Sequence, residues 1–170
     1  MSLAASLLPE FDHEMASTRK ALERVPAERT SWQPHGKSMS LGKLTTHLAE
    51  LPGFLPPILC DDELDLFPPG GEPFELQTPL PPAQALALFD KHVAEARAML
   101  AAASDEQLMK PWTLKAAGHA IFTLPRIASY RTAVMNHSVH HRGQLSVYLR
   151  LNDVPVPGFY GPSADEKQAH

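Results

Sequence analysis

An all-α fold, a four-helix bundle with a long crossover loop between its second and third helices, is what this sequence predicts. Three observations carry the prediction. Seventeen of the 170 residues are proline, about twice an ordinary share of roughly 5%, yet they leave four long windows free: 10–25, 35–51, 83–110 and 126–154. A proline inside a helix removes a hydrogen bond and clashes with the preceding turn, so long helices belong in such windows. Each window also carries apolar residues at the three-and-four spacing of one helix face. Finally, 44% hydrophobic and 20% charged residues can bury a core, which excludes wholesale disorder. The length suits one domain, expected to span 1–170.

In the first window Leu8, Phe11, Met15, Thr18, Leu22 and Val25 form the stripe, and Pro26 ends it. In the second, Ser40 is placed to cap a helix whose apolar face is Leu41, Leu44, Leu48 and Leu51, stopped at Pro52-Gly53. The third helix opens after Pro79 or Pro82 and runs through Leu86, Phe89, Val93, Ala96 and Leu100. Ser104 with Gln107 resembles a capping box for a short extra turn. The fourth begins near Pro125 and extends to about Leu151, with the stripe Ile127, Tyr130, Val134, His137, His141, Leu145, Tyr148 and Leu151.

The connections differ in length. Residues 52–82 hold nine of the prolines and are too long for a turn; Phe54, Leu59, Leu64, Leu66, Phe67 and Phe74 are expected to pack it down as the crossover. Its acidic run Asp61-Asp62-Glu63-Leu64-Asp65 lacks the glycine and terminal glutamate of a calcium loop and reads as a solvated loop tip. Between Trp112 and Phe122 a short hairpin turning near Gly118 is expected.

Bulk properties exclude several partners. Net charge is −4 and no basic stripe is visible, so no nucleic-acid partner is expected. The N-terminal apolar run has no basic flank and meets Pro9, Glu10 and Asp12, unlike a signal peptide. Nothing approaches the 18 apolar residues of a membrane span. The single cysteine, Cys60, makes neither an internal disulfide nor a thiolate cluster. A cytoplasmic location is expected.

The anomaly lies in the fourth helix, where positions 137 and 141 of an inward stripe are histidine. Residues four apart stand one above the other, about 5–6 Å apart at Cβ, which lets two imidazoles grip one ion. His140 is about 60° round from His137 on the side opposite to His141, at about 3.6 residues per turn, and reads as a rim residue or a donor to the ligands. A third candidate, His47, lies between Leu44 and Leu51 on the inward side of the second helix. His47, His137 and His141 would form a three-nitrogen set with open positions, which suits a catalytic rather than a closed structural site. Imidazole ligation accommodates zinc, nickel, copper or iron. The competing reading is a hydrogen-bonded core cluster. Of the others, His13, His92 and His170 read as surface and His35 and His119 as connector residues, with His13 or His119 as weaker candidates to line a cavity.

The segment His137-Ser138-Val139-His140-His141-Arg142-Gly143-Gln144 and the tail Val154 to Glu166 resemble the last helix and C-terminus of the DinB/YfiT-like metalloprotein superfamily. Trp32-Gln33-Pro34, Ser40-Leu41-Gly42-Lys43-Leu44 and His47-Leu48-Ala49-Glu50-Leu51 resemble its second-helix entry. The likeness is greatest to the DinB (damage-inducible) branch, unrelated to the DNA polymerase of that name. It implies a four-helix bundle, often a homodimer, with a divalent metal, zinc or nickel foremost, on His47, His137 and His141. Relatives include thiol-dependent S-transferases and isomerases. The leading expectation is therefore a metal-dependent enzyme, a transferase or hydrolase, acting on a small electrophile with a thiol or small-molecule partner. The alternative is a non-catalytic metal-binding stress-response protein. No catalytic residue is assigned: Gln144 and Tyr148 are candidates to orient a ligand or to pack the core. Arg142, off the stripe, is expected in an ion pair or a dimer contact.

Overall fold

The computed structural model describes residues 2–72 and 78–166; Phe74 and His170 lie outside them. The chain is mostly helical. Four long helices, α1 (Leu3–Leu22), α2 (Leu41–Glu50), α4 (Pro82–Ala102) and α7 (His137–Leu151), enclose the main core. Both α1 and α2 pack against α4 and α7. Shorter helices α3 (Leu55–Cys60), α5 (Asp105–Met109) and α6 (Arg126–Tyr130) fill in between them, and a three-stranded sheet is added at one side.

The first helix starts earlier than its proline suggests. Ser2 caps it by accepting the Ala5 N–H at 3.2 Å, and the Leu3 N–H donates to Asp105 Oδ1 at 2.7 Å. Pro9 sits inside it on the exposed face. Ala4, Leu7, Phe11, Met15 and Leu22 are all buried, so the apolar stripe continues across the proline. Burial of that stripe outweighs the roughly 3 kcal/mol cost of an interior proline. The helix therefore begins ahead of the proline-free window at 10–25.

In α2, Ser40 caps as expected, accepting the Lys43 N–H at 3.2 Å, and Leu41, Leu44, Leu48 and Leu51 are fully buried. The crossover is the larger correction. Its first part, as far as Asp65, is not a loop but a 3₁₀ turn (Leu51–Phe54), then α3, then strand β1 (Glu63–Asp65), while the described residues after Asp65 and before α4 form no helix or strand. Pro52, Pro56 and Pro57 occupy first-turn positions of these short helices, where no N–H partner is required. Prolines there begin helices rather than exclude them.

The acidic run is solvated at Asp61, Asp62 and Glu63, as expected, but it leads into a strand rather than forming a loop tip. β1 runs parallel to β2 (Pro111–Ala116) in the register Leu64↔Leu114, and β2 pairs antiparallel with β3 (His119–Pro125). Asp62 accepts from Arg126 at 3.0 Å, and the Asp65 carboxylate accepts the Phe67 and Gly118 N–H groups at 2.9 and 2.7 Å. The expected hairpin is present. Its turn is Ala117-Gly118, both with positive φ (49° and 80°), the two-residue geometry whose twist matches the flanking strands. A bulge after the Leu114↔Phe122 pair leaves Ile121 without a partner and re-aims the strand.

The fourth predicted helix is three pieces: α6, a π-helical segment over Arg131–Asn136, and α7. Leu151, expected inward, is 57% exposed, and Leu149 is buried instead. His92 is half-buried rather than surface; its Nδ1 lies 3.0 Å from the Ala49 carbonyl and its ring packs against Gly53. Among the described residues, no helix is long and apolar enough to cross a membrane.

Candidate metal centre

The three singled-out histidines come together. α2 supplies His47, and α7 supplies His137 and His141 one turn apart. Their ring centroids are 5.0 Å (47–137), 4.6 Å (47–141) and 4.7 Å (137–141) apart. One nitrogen from each lies within 4.8 Å of the others. The Nε2 atoms of His47 and His137 are 3.3 Å apart. Two nitrogens at about 2.0–2.1 Å from a common tetrahedral ion would lie about 3.3 Å apart. The donor set is therefore compatible with one divalent ion.

Other contacts hold the rings. Gln144 Oε1 can only accept, so at 2.7 Å the His141 Nδ1 carries a proton and its Nε2 keeps a free lone pair. Gln144 Nε2 donates to the Nε2 of exposed His140 at 3.1 Å, which steadies the amide. The π segment serves His137. Its backbone N–H bonds Val134 O instead of the Ala133 carbonyl one turn back, and that carbonyl accepts from the His137 ring. Glu50, buried on the same face of α2, places Oε2 4.0 Å from His47 Nδ1.

Electrostatics favour neutral imidazoles. Burial, followed by the neighbouring His141 and His137, lowers the His47 pKa to about 4. Burial is also the main cause lowering His137 and His141, with neighbouring histidines adding to it; bonds to Ala133 and Gln144 partly oppose it. At neutral pH all three keep the lone pairs that a metal requires.

The cluster borders a cavity of about 280 Å³. His47 and His137 form part of its wall, with Thr132 and Ala133 of the π segment beside them. Phe54, Leu66, Phe67, Leu114 and Phe122 make the rest. These five lie in two stretches read as connectors, and no common periodicity joins Phe54, Leu66 and Phe67 to Leu114 and Phe122. Glu50 carried a usable signal, three residues after His47 on one helix face.

Other candidates lie elsewhere. Tyr148 is buried, donating to Met39 O at 3.3 Å and standing edge-on to Trp32 at 5.4 Å, so it packs α7 rather than facing the cavity. His13 and His119 are exposed and outside the cavity, as is His35. Arg142 forms an ion pair, but a buried internal one: Glu14 Oε2 lies 2.6 Å away.

Comparison with known proteins agrees with this architecture. Similar solved structures include a DinB-like protein from Bacillus cereus, 20% identical with a TM-score of 0.67, the match covering 91% of this chain and 95% of that one. Another is a DinB-like protein from Bacillus subtilis, 21% identical with a TM-score of 0.67, covering 93% and 99%. No curated protein matches. The model of the DinB superfamily matches residues 10–145, most of the chain and all three histidines, and the chain belongs to that superfamily.

Proposed function

We propose that this chain holds one divalent transition metal ion, zinc or nickel, on His47, His137 and His141 and is an enzyme that joins a thiol to a small electrophile. The observation that carries the reading is the cavity with His47 and His137 in its wall: a closed structural site would need no such space. A divalent ion there would lower the pKa of a thiol reaching it and so supply a nucleophile near neutral pH.

The chain's own residues supply the remainder. Gln144 and the Ala133 carbonyl fix ring orientation and the protonated nitrogen, as partners of metal-binding histidines generally do. The apolar walls exclude water from the reacting carbon. Sulfur bonds to that carbon as the leaving group departs with its electron pair, and the thiol proton passes to solvent. The four long helices are the proposed bundle scaffold, in one domain. A homodimer, the expectation from the resemblance, is part of the same proposal and is tested by sedimentation.

The test is metal analysis of untagged protein together with thiol consumption in the presence of a chloronitrobenzene. One ion per chain is expected, with both metal and turnover lost in His47→Ala. Full turnover in that variant would refute the proposal. Bound metal without thiol consumption across an electrophile panel would leave a metal-binding protein only.

A further inference from the structure

We infer that the walls of the cavity beside the three histidines, apart from any ion on those histidines, select an uncharged, largely apolar molecule of one or two aromatic rings and reject both anions and cations. This names a substrate class for the proposed function and rests on that reading for why a ligand is bound there. The selectivity itself is read from the cavity walls.

Three separate stretches converge to make those walls apolar. The 3₁₀ turn after α2 supplies Phe54, the residue following β1 is Leu66, and the cross-strand pair Leu114↔Phe122 comes from the hairpin. Among the described lining residues none is Lys, Arg, Asp or Glu. The charged groups of the same elements are bound elsewhere. Lys115 pairs with Glu63 at 2.6 Å, and Asp65 accepts two backbone N–H groups. Arg126 is held by Asp62 and the Leu59 carbonyl, and Arg131 by Glu10. A carboxylate or ammonium lodged among these leucine and phenylalanine side chains would lose its hydration without gaining a countercharge from them.

Size narrows the class further. A dry apolar cavity of about 150 Å³ accommodates benzene, so about 280 Å³ suits a substituted ring or a two-ring compound. Among the side chains of the described lining residues, polarity is confined to the two imidazoles and Thr132. A ligand would therefore lay its apolar body on the phenylalanines and leucines and turn its one polar or reactive group toward the histidines. The charged parts of a thiol partner must stay outside.

Titration of the full-length protein freed of metal by a chelator, followed by ligand NMR, tests this with ethylbenzene, benzylammonium and benzenesulfonate. Ethylbenzene is expected to bind at least tenfold tighter than either ion. A smaller preference, or no ethylbenzene binding, overturns the inference. Leu114→Trp should fill the cavity and weaken ethylbenzene at least tenfold, with the unfolding temperature and metal content unchanged. Phe122→Ala, at a half-exposed wall position, is the second variant should the first misfold. It should raise the affinity of methylnaphthalene relative to ethylbenzene, and an unchanged ratio counts against the pocket. The two readings fail separately: loss of the metal claim with ethylbenzene selectivity intact removes the three-histidine proposal alone. Equal binding of the ions with one metal per chain removes the pocket alone.

Discussion

Replacing Glu14 by glutamine should destabilise the protein more than any other single polar change at the α1–α7 contact. Arg142 is almost fully buried, its side chain 2% exposed against 11% for Glu14. Its guanidinium donates to Glu14 Oε2 and to the Tyr160 hydroxyl, both at 2.6 Å, and to the Glu14 carbonyl at 3.0 Å and Thr18 Oγ1 at 3.3 Å. The Tyr160 hydroxyl in turn donates to Glu14 Oε2 at 2.9 Å. Phe159 and Tyr160 also present their rings at 5.0 and 5.2 Å. Glutamine keeps the shape and one acceptor but leaves a buried cation without its countercharge, at a cost of about 3 kcal/mol. At about 2–4 °C per kcal/mol for a chain of this size, the midpoint should fall about 6–12 °C. Tyr160→Phe removes hydroxyl bonds from a ring that is 69% exposed and should cost only about 1 kcal/mol. Thermal unfolding followed by circular dichroism decides the matter. A Glu14→Gln shift no larger than that of Tyr160→Phe would refute the idea that the charge, rather than the packing, secures this junction.

Three further outcomes are expected. His137→Ala and His141→Ala should each lower metal affinity more than about a hundredfold, while Gln144→Leu, which keeps every ligand but frees the His141 ring, should lower it by a smaller factor, about tenfold; titration against a competing chelator measures all three. In metal-free protein the depressed His47 pKa leaves stability full above the unfolded value of about 6.5 and lost as pH falls toward about 4, because only the unfolded chain takes up the proton in that window. The loss attributable to His47 should be on the order of 2 kcal/mol after allowance for its partial exposure, and urea unfolding of His47→Asn should show a flatter pH profile. Ala117→Gly should stabilise the hairpin by about 0.5–1 kcal/mol, since Ala117 holds φ at +49°; an unchanged or lowered urea midpoint would contradict this.

The helical faces were legible because periodicity and burial state the same fact twice. Leu41, Leu44, Leu48 and Leu51 could be read from spacing alone, and so could the inward direction of His47 and His141. Proline was informative only with its position. Pro26 did stop a helix, whereas Pro9 lies within one and Pro52, Pro56 and Pro57 open others. The missing N–H matters only where the helix would have used it. β1 was illegible because three residues of Glu-Leu-Asp carry no strand signal, and their partner β2 lies far along the chain. The cavity followed it into obscurity: Phe54, Leu66, Leu114 and Phe122 have no common period, only a common destination.

The π segment ahead of His137 has a consequence for how this protein can vary. It carries cavity residues Thr132 and Ala133 and joins α6 to the helix bearing two histidines. Loss of one residue between Arg131 and Asn136 would return it to ordinary α-helix and turn everything before it by about 100° relative to His137 and His141. A single codon deletion, with no change in the histidines, would then present a different wall to the same three nitrogens. In this chain, length within one helix is as much a determinant of what meets the three histidines as the side chains themselves.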